Sequence, residues 1–147
     1  MIERKLFRSV CHKYLIDYGF NNNRGNYILN FPELRIVISL QRSAYSDSYY
    51  INLGYFFTEA GLGKDLPKAM DGDIRTRFSV EIGGKDYDLF ELESISKETL
   101  LHSLQMNIKN YVSEINNIDT IQSLLKREPI LLYQTTSNAK LKLGFIM

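Results

Sequence analysis

The sequence predicts an α+β fold, an antiparallel sheet of about five strands preceded by one helix and followed by helices packed on one sheet face. Three observations predict it. Apolar side chains recur at helical spacing over residues 3 to 18. Period-two alternation takes over between residues 27 and 92, punctuated by turn residues. Helical spacing then returns after Ser96.

The first helix follows from Leu6, Val10, Tyr14 and Tyr18, flanked by Phe7, Cys11 and Leu15, at i, i+3 and i+4 spacings. Gly19 stands where a glycine ends a helix. The cluster Asn21, Asn22, Asn23, Arg24 and Gly25 reads as a turn, because these residues tolerate left-handed backbone. Tyr27, Leu29 and Phe31 then share one face of a short strand that Pro32 ends.

In the next strand Leu34, Ile36, Ile38 and Leu40 face one way and Arg35, Val37, Ser39 and Gln41 the other. Tyr49, Ile51, Leu53, Tyr55 and Phe57 oppose Tyr50, Asn52, Gly54 and Phe56. A loop over residues 58 to 73 leads to a strand in which Ile74, Thr76, Phe78, Val80 and Ile82 oppose Arg75, Arg77, Ser79 and Glu81. Gly83-Gly84 is a hairpin signal, and Tyr87, Leu89, Phe90 and Leu92 supply a fifth strand.

Ser96 is placed to cap a second helix, with Glu98 in its first turn. Leu101, Leu104, Ile108, Tyr111, Val112 and Ile115 line its inner face. Asp119 is the expected cap of a shorter helix, Thr120 to Lys126, which Pro129 stops. The segments ILLYQ and LKLGFIM read as a strand-like pair around Thr135 to Asn138, although ILLYQ also fits a helix.

Bulk properties bound the function. At 147 residues the chain has the size of a single domain, 1–147. Eighteen basic and 17 acidic side chains leave a net charge of +1, so no overall field draws it onto nucleic acid or an anionic membrane. Neither partner is expected. One cysteine excludes an intramolecular disulfide, the N-terminus lacks a signal-peptide pattern and no apolar run is long enough to span a bilayer. A cytoplasmic location fits all three.

The chemical motifs are sparse. Cys11 and His12 are neighbours on a helix, so their side chains diverge by about 100° and do not form a nucleophile–base pair. Neither His12 nor His102 has ligand-spaced companions for zinc. GLGKD at 61–65 lacks the phosphate-loop spacing and reads as a flexible loop. DGD at 71–73 lacks the following glutamate of a calcium loop and reads as a turn. No catalytic residue, metal site or cofactor is therefore expected.

The feature that survives is the second sheet face. Arg35, Gln41, Tyr50, Asn52, Arg75 and Arg77, with Glu81, leave the sheet opposite the core. Arginine and tyrosine suit binding surfaces because they combine area with hydrogen bonding. Cross-strand pairing on a solvated face, Arg77 with Glu81 for example, explains the same residues structurally. Gln41 and Ser43 are expected to fix the strand end and turn through bonds to backbone. The less polar Val37, Gly54 and Phe56 imply a cover over part of this face, for which the C-terminal segment is the expected candidate.

Three stretches carry a family resemblance: IDYGFNNNRGNYIL, ISLQRSAYSDSYYINLGYFF and DIRTRFSVEIGGKDYDLFEL. Their motifs (a helix ending in Gly-Phe, Gln-x-Ser before Ile-Asn-Leu-Gly, and Arg-x-Arg before a hairpin) resemble, in order, the bacterial domain-of-unknown-function family 4304. The similarity runs over residues 5–125, with 127–147 as an extension beyond it. The chain departs from the pattern in having no tryptophan near Asp88 to Phe90. The resemblance implies a small cytoplasmic α+β domain without established activity, and an association with bacterial conflict systems in which such domains act as immunity proteins.

The leading expectation is a non-enzymatic domain that binds another protein, with an immunity-type role as the resemblance implies. Two rivals stand beside it. One is a small-ligand protein or enzyme with its site on the polar face under the C-terminal segment, for which a pocket converging on Arg75, Arg77 and Tyr50 would speak. The other is a homodimer joined through the sheet face or an edge.

Overall fold

The computed structural model describes residues 1–58 and 68–145. Helix α1 (Arg4–Tyr18) is followed by strands β1 (Asn21–Asn23), β2 (Asn26–Asn30), β3 (Leu34–Arg42) and β4 (Ser48–Phe57). After a 3-10 turn at Ala69–Asp71 come β5 (Ile74–Arg77), β6 (Val80–Ile82), β7 (Lys85–Tyr87) and β8 (Leu89–Glu91). Helices α2 (Lys97–Tyr111) and α3 (Ile118–Arg127), a 3-10 stretch Pro129–Gln134 and α4 (Ser137–Lys142) complete the chain. The GLGKD segment lies outside the described residues, as does most of the 58–73 loop. Among the described residues no helix is long and apolar enough to cross a membrane.

The main sheet is antiparallel, in the order β1-β2-β3-β4-β5, with β8 also pairing β4. Alternation along β3 and β4 sets the register: Ile38 opposes Leu53 and Leu40 opposes Ile51, so one apolar row faces the helices. The α+β arrangement of a helix, an antiparallel sheet and then helices is thus observed. Phe7 of α1 stacks on Tyr49, ring centroids 4.7 Å apart, and meets Phe90 edge-on at 6.0 Å. Each such pair adds about 0.5–1.5 kcal/mol beyond its buried area. Leu100, Leu104 and Ile108 of α2 and Ile121, Leu124 and Leu125 of α3 join the same core.

Local chemistry explains most boundaries. The Gly19 N–H bonds back to the carbonyls of Leu15 and Ile16 and closes α1. Of the cluster expected as a turn, only Arg24 and Gly25 turn, with positive φ of 54° and 87°; Asn21–Asn23 instead form β1, which this two-residue hairpin loop joins to β2. Ser96 caps α2 as expected, its side chain accepting from the Thr99 N–H.

Several expectations need correction. On α1 the buried stripe is Phe7, Val10, Cys11 and Leu15, whereas Leu6 and Tyr18 are exposed. On α2 Leu104 and Ile108 are buried as expected, as are Val112 and Ile115 beyond it, but Leu100 takes the inner position expected for Leu101, which is exposed. Asn117, not Asp119, caps α3, because Asn117 and Thr120 form a reciprocal capping box. The strand expected through residues 74 to 82 breaks at Phe78-Ser79. There α2 takes over the backbone: Asn107 Oδ1 accepts from the Ser79 N–H at 3.1 Å, and Ser103 Oγ and Asn107 Nδ2 donate to the Ser79 carbonyl. Beyond the break, β6 pairs only with β7 across Gly83-Gly84. The expected fifth strand is split accordingly between β7 and β8, and β8 returns to β4 beside β5.

Among the described residues the expected C-terminal strand pair does not form. Pro129 opens a 3-10 stretch, for which its fixed φ is suited, and Thr136 caps α4 by accepting from the Ala139 N–H. An isolated Ile74–Thr135 bridge and a Thr136 N–H bond to the Asp73 carbonyl tie this segment to the β5 edge, and Leu131, Ala139 and Leu143 join the core.

Candidate functional site

On the face opposite the helices, β4 presents Tyr50, Asn52, Gly54 and Phe56. Ile28, Val37, Phe56 and Ala69 form a small apolar cluster there. The cover is therefore the 3-10 turn at Ala69–Asp71, not the C-terminal segment. Gly54 makes this possible: a Cβ at that position would collide with the Ala69 carbonyl oxygen. The Ala69 N–H donates to Ser39 Oγ at 3.2 Å, which anchors the turn to β3.

Beside the turn the expected polar residues converge. Asn52 is only 4% exposed and lies directly opposite Arg77 across β4 and β5. Its Nδ2 donates to Gln41 Oε1 at 2.9 Å, and its Oδ1 accepts from Arg77 Nε at 3.0 Å. The Arg77 guanidinium lies over the Tyr50 ring, 3.9 Å from the centroid. Its Nη1 reaches Asp88 Oδ2 at 3.4 Å, a long pair between partly exposed groups. Gln41 thus bonds a side chain on the next strand and not, as expected, the backbone. Ser43 does bond the turn, accepting from the Tyr45 N–H. Arg77 pairs with Asp88, whereas Glu81 lies opposite Asp86 in the separate hairpin.

Arg75 sits one step along the same face, opposite Gly54, and leans on the turn with Nη1 3.3 Å from the Met70 carbonyl. Asn52, Met70, Arg75, Thr76, Arg77, Asp88 and Gln134 line a cleft of about 400 Å³. Arg35 does not join them. It lies opposite Asn30 and Phe56, beyond the apolar cluster, and its Nε donates to Asn30 Oδ1 at 2.7 Å. Of the six expected site residues the fold gathers Gln41, Tyr50, Asn52, Arg75 and Arg77. Asp88, Met70 and Gln134 were not anticipated: the split of β7 from β8 brings Asp88 here, the 3-10 turn at Ala69–Asp71 brings Met70, and the 3-10 stretch Pro129–Gln134 brings Gln134.

Residues 11–117 match the family model described as a domain of unknown function, DUF4304. The chain belongs to this family. The DUF4304 match spans the sheet and α2, so the cleft lies within it except for Gln134. No curated protein and no solved structure matches the DUF4304 chain.

The other chemically notable groups of this DUF4304 chain serve the core. Burial pushes the Cys11 thiol up to about 12, so it is protonated and inert at neutral pH. Tyr55 is fully buried, which raises its hydroxyl well above the usual range, and it donates to the Tyr111 carbonyl at 2.6 Å. Tyr111 is itself pushed to about 12, first by burial and then by its bond to Glu128. His12 Nδ1 lies 2.9 Å from the Tyr27 hydroxyl, across the edge of the first helix.

Proposed function

We propose that this chain is a non-enzymatic binding domain that captures a carboxylate-bearing segment of another protein in the β5 cleft. The observation that carries the reading is the Arg75–Arg77 pair at the cleft wall, with Arg77 already held by Asn52 and Tyr50. A guanidinium matches a carboxylate bidentately, and a side chain fixed beforehand loses less entropy on binding. Asp88 serves as a weak internal stand-in that an incoming carboxylate displaces from Arg77.

The resemblance to a bacterial family supports an immunity-type form of this role, in which the acidic segment belongs to a toxin. The cytoplasm is the compartment that fits such a role. A second reading, a small carboxylate ligand in the same cleft, is favoured by its volume of about 400 Å³, which falls in the range of small-molecule sites.

Affinity capture from the native host tests the first reading, with Arg75→Ala/Arg77→Ala as the control. A stoichiometric partner lost from the control supports it, provided both proteins melt at similar temperatures. A partner retained by the control contradicts it. If small carboxylates stabilise only the wild-type protein and no partner is captured, the second reading replaces the first.

A further inference from the structure

On the helix side of the sheet a second depression, of about 590 Å³, opens between the start of α1 and the ends of β2, β3 and β4. Arg4, Arg8 and Arg42 rim it, and Tyr27, Tyr49 and Leu40 form its floor. Arg4 and Arg8 are one helical turn apart, so α1 places like charges side by side, an arrangement that destabilises an isolated helix. Arg42, at the end of β3, adds a third guanidinium from across the depression. Asp47 answers only Arg4, at 2.6 Å between half-exposed groups. Among the described residues the side chains of Arg8 and Arg42 make no hydrogen bond or ion pair. This excess is local, because the whole chain carries 18 basic and 17 acidic residues.

We propose that this depression binds a phosphate monoester. Three guanidinium groups less one carboxylate leave a local charge of about +2, which complements a phosphate monoester of about −1.5 to −2 at neutral pH. The planar forks of Arg8 and Arg42 match phosphate oxygens bidentately. The floor of two tyrosine rings and a leucine receives the apolar moiety that carries the phosphate. The site lies on the sheet face opposite the β5 cleft and shares no residue with it.

Arginine Nε–Hε resonances of the full chain, followed during titration at constant ionic strength, test this proposal. Inorganic phosphate probes the anion alone and phenyl phosphate probes the anion with a ring. The expected result is saturable shifts at Arg8 and Arg42, with affinity about tenfold weaker in Arg8→Gln/Arg42→Gln. Tighter binding of phenyl phosphate assigns part of the affinity to the floor, whereas equal affinities mean that the arginines read the phosphate alone. Both substitutions are at exposed positions, and a melting curve shows that the variant folds. Absence of shifts with either probe, or equal affinity in the variant, overturns the proposal. A further readout separates it from a purely structural role. Without phosphate at low salt, Arg8→Gln melts no lower than the wild type, because it relieves repulsion, and phosphate raises the melting temperature of the wild type alone.

Discussion

Arg77 donates from Nε to Oδ1 of Asn52 at 3.0 Å, and this bond ties the cationic wall of the β5 cleft to the centre of the sheet. Asn52 in turn holds Gln41, so three strands share one polar chain on a face that is otherwise apolar around Gly54 and Phe56.

Asn52→Ala is therefore expected to act on both stability and binding. Arg77 and Gln41 lose a buried partner, at a cost of about 1–2 kcal/mol. Chemical denaturation measures the loss of stability. Acidic ligands should bind more weakly although both arginines remain.

Asp88→Asn should have the opposite effect on binding. The carboxylate competes for Arg77 from 3.4 Å in a partly exposed setting, so its removal costs little stability. Affinity for an acidic peptide should rise, which calorimetry at matched ionic strength detects. A fall in affinity would show that Asp88 organises the cleft instead of masking it.

Gly54→Ala tests the turn that forms the other wall. Its Cβ would meet the Ala69 backbone, which has no flexible side-chain end to yield. Overpacking of this kind costs typically about 1–3 kcal/mol. The urea midpoint should fall, and amide resonances of Ala69, Met70 and Asp71 should shift more than those of the helices.

How far these features could be read from sequence differs by element. Strict alternation in Leu34–Gln41 and Tyr49–Phe57 made the core row and the opposite row legible, whereas their register emerges only from the paired strands. The break at Ser79 was hidden, because alternation continues from Ile74 to Ile82. Its cause lies in α2, where Ser103 and Asn107 are buried and bond the Ser79 backbone. Those two polar residues on an inner helical face were the available signal. In ILLYQ and LKLGF, short apolar runs fit either period, and only Pro129 and the Thr136 cap distinguish the helical outcome. Gln134 and Asp88 were invisible as site residues for the same reason, since tertiary placement alone brings them to the cleft.

Asn107→Ala should be among the most damaging substitutions outside the apolar core. It removes bonds to both the N–H and the carbonyl of Ser79, and each buried backbone group left unpaired costs about 1–3 kcal/mol. Ser103 still serves the carbonyl, so the N–H carries most of the loss. Hydrogen exchange at Ser79 should accelerate strongly while that of β3 changes only with global stability.

Alkaline pH should destabilise the fold through Cys11. The folded thiol titrates near 12 against an ordinary 9.0, so above pH 9 the unfolded chain releases a proton that the folded chain keeps. Stability contributed by this group is complete below pH 9 and is lost as pH rises toward 12, by up to about 1.4 kcal/mol per pH unit. Cys11→Ala removes this component. The difference in unfolding free energy between the two proteins should shrink between pH 9 and 11, and a constant difference would count against a raised thiol.

The most direct test of the central claim is a titration of the full chain with an acetylated pentaglutamate peptide, observing arginine Nε–Hε and asparagine side-chain resonances. Saturable shifts confined to Arg75, Arg77 and Asn52, lost in Arg75→Ala/Arg77→Ala, are the predicted result. Shifts spread evenly over the exposed cations, or unchanged at Asn52 in the double variant, would contradict a carboxylate site in the β5 cleft.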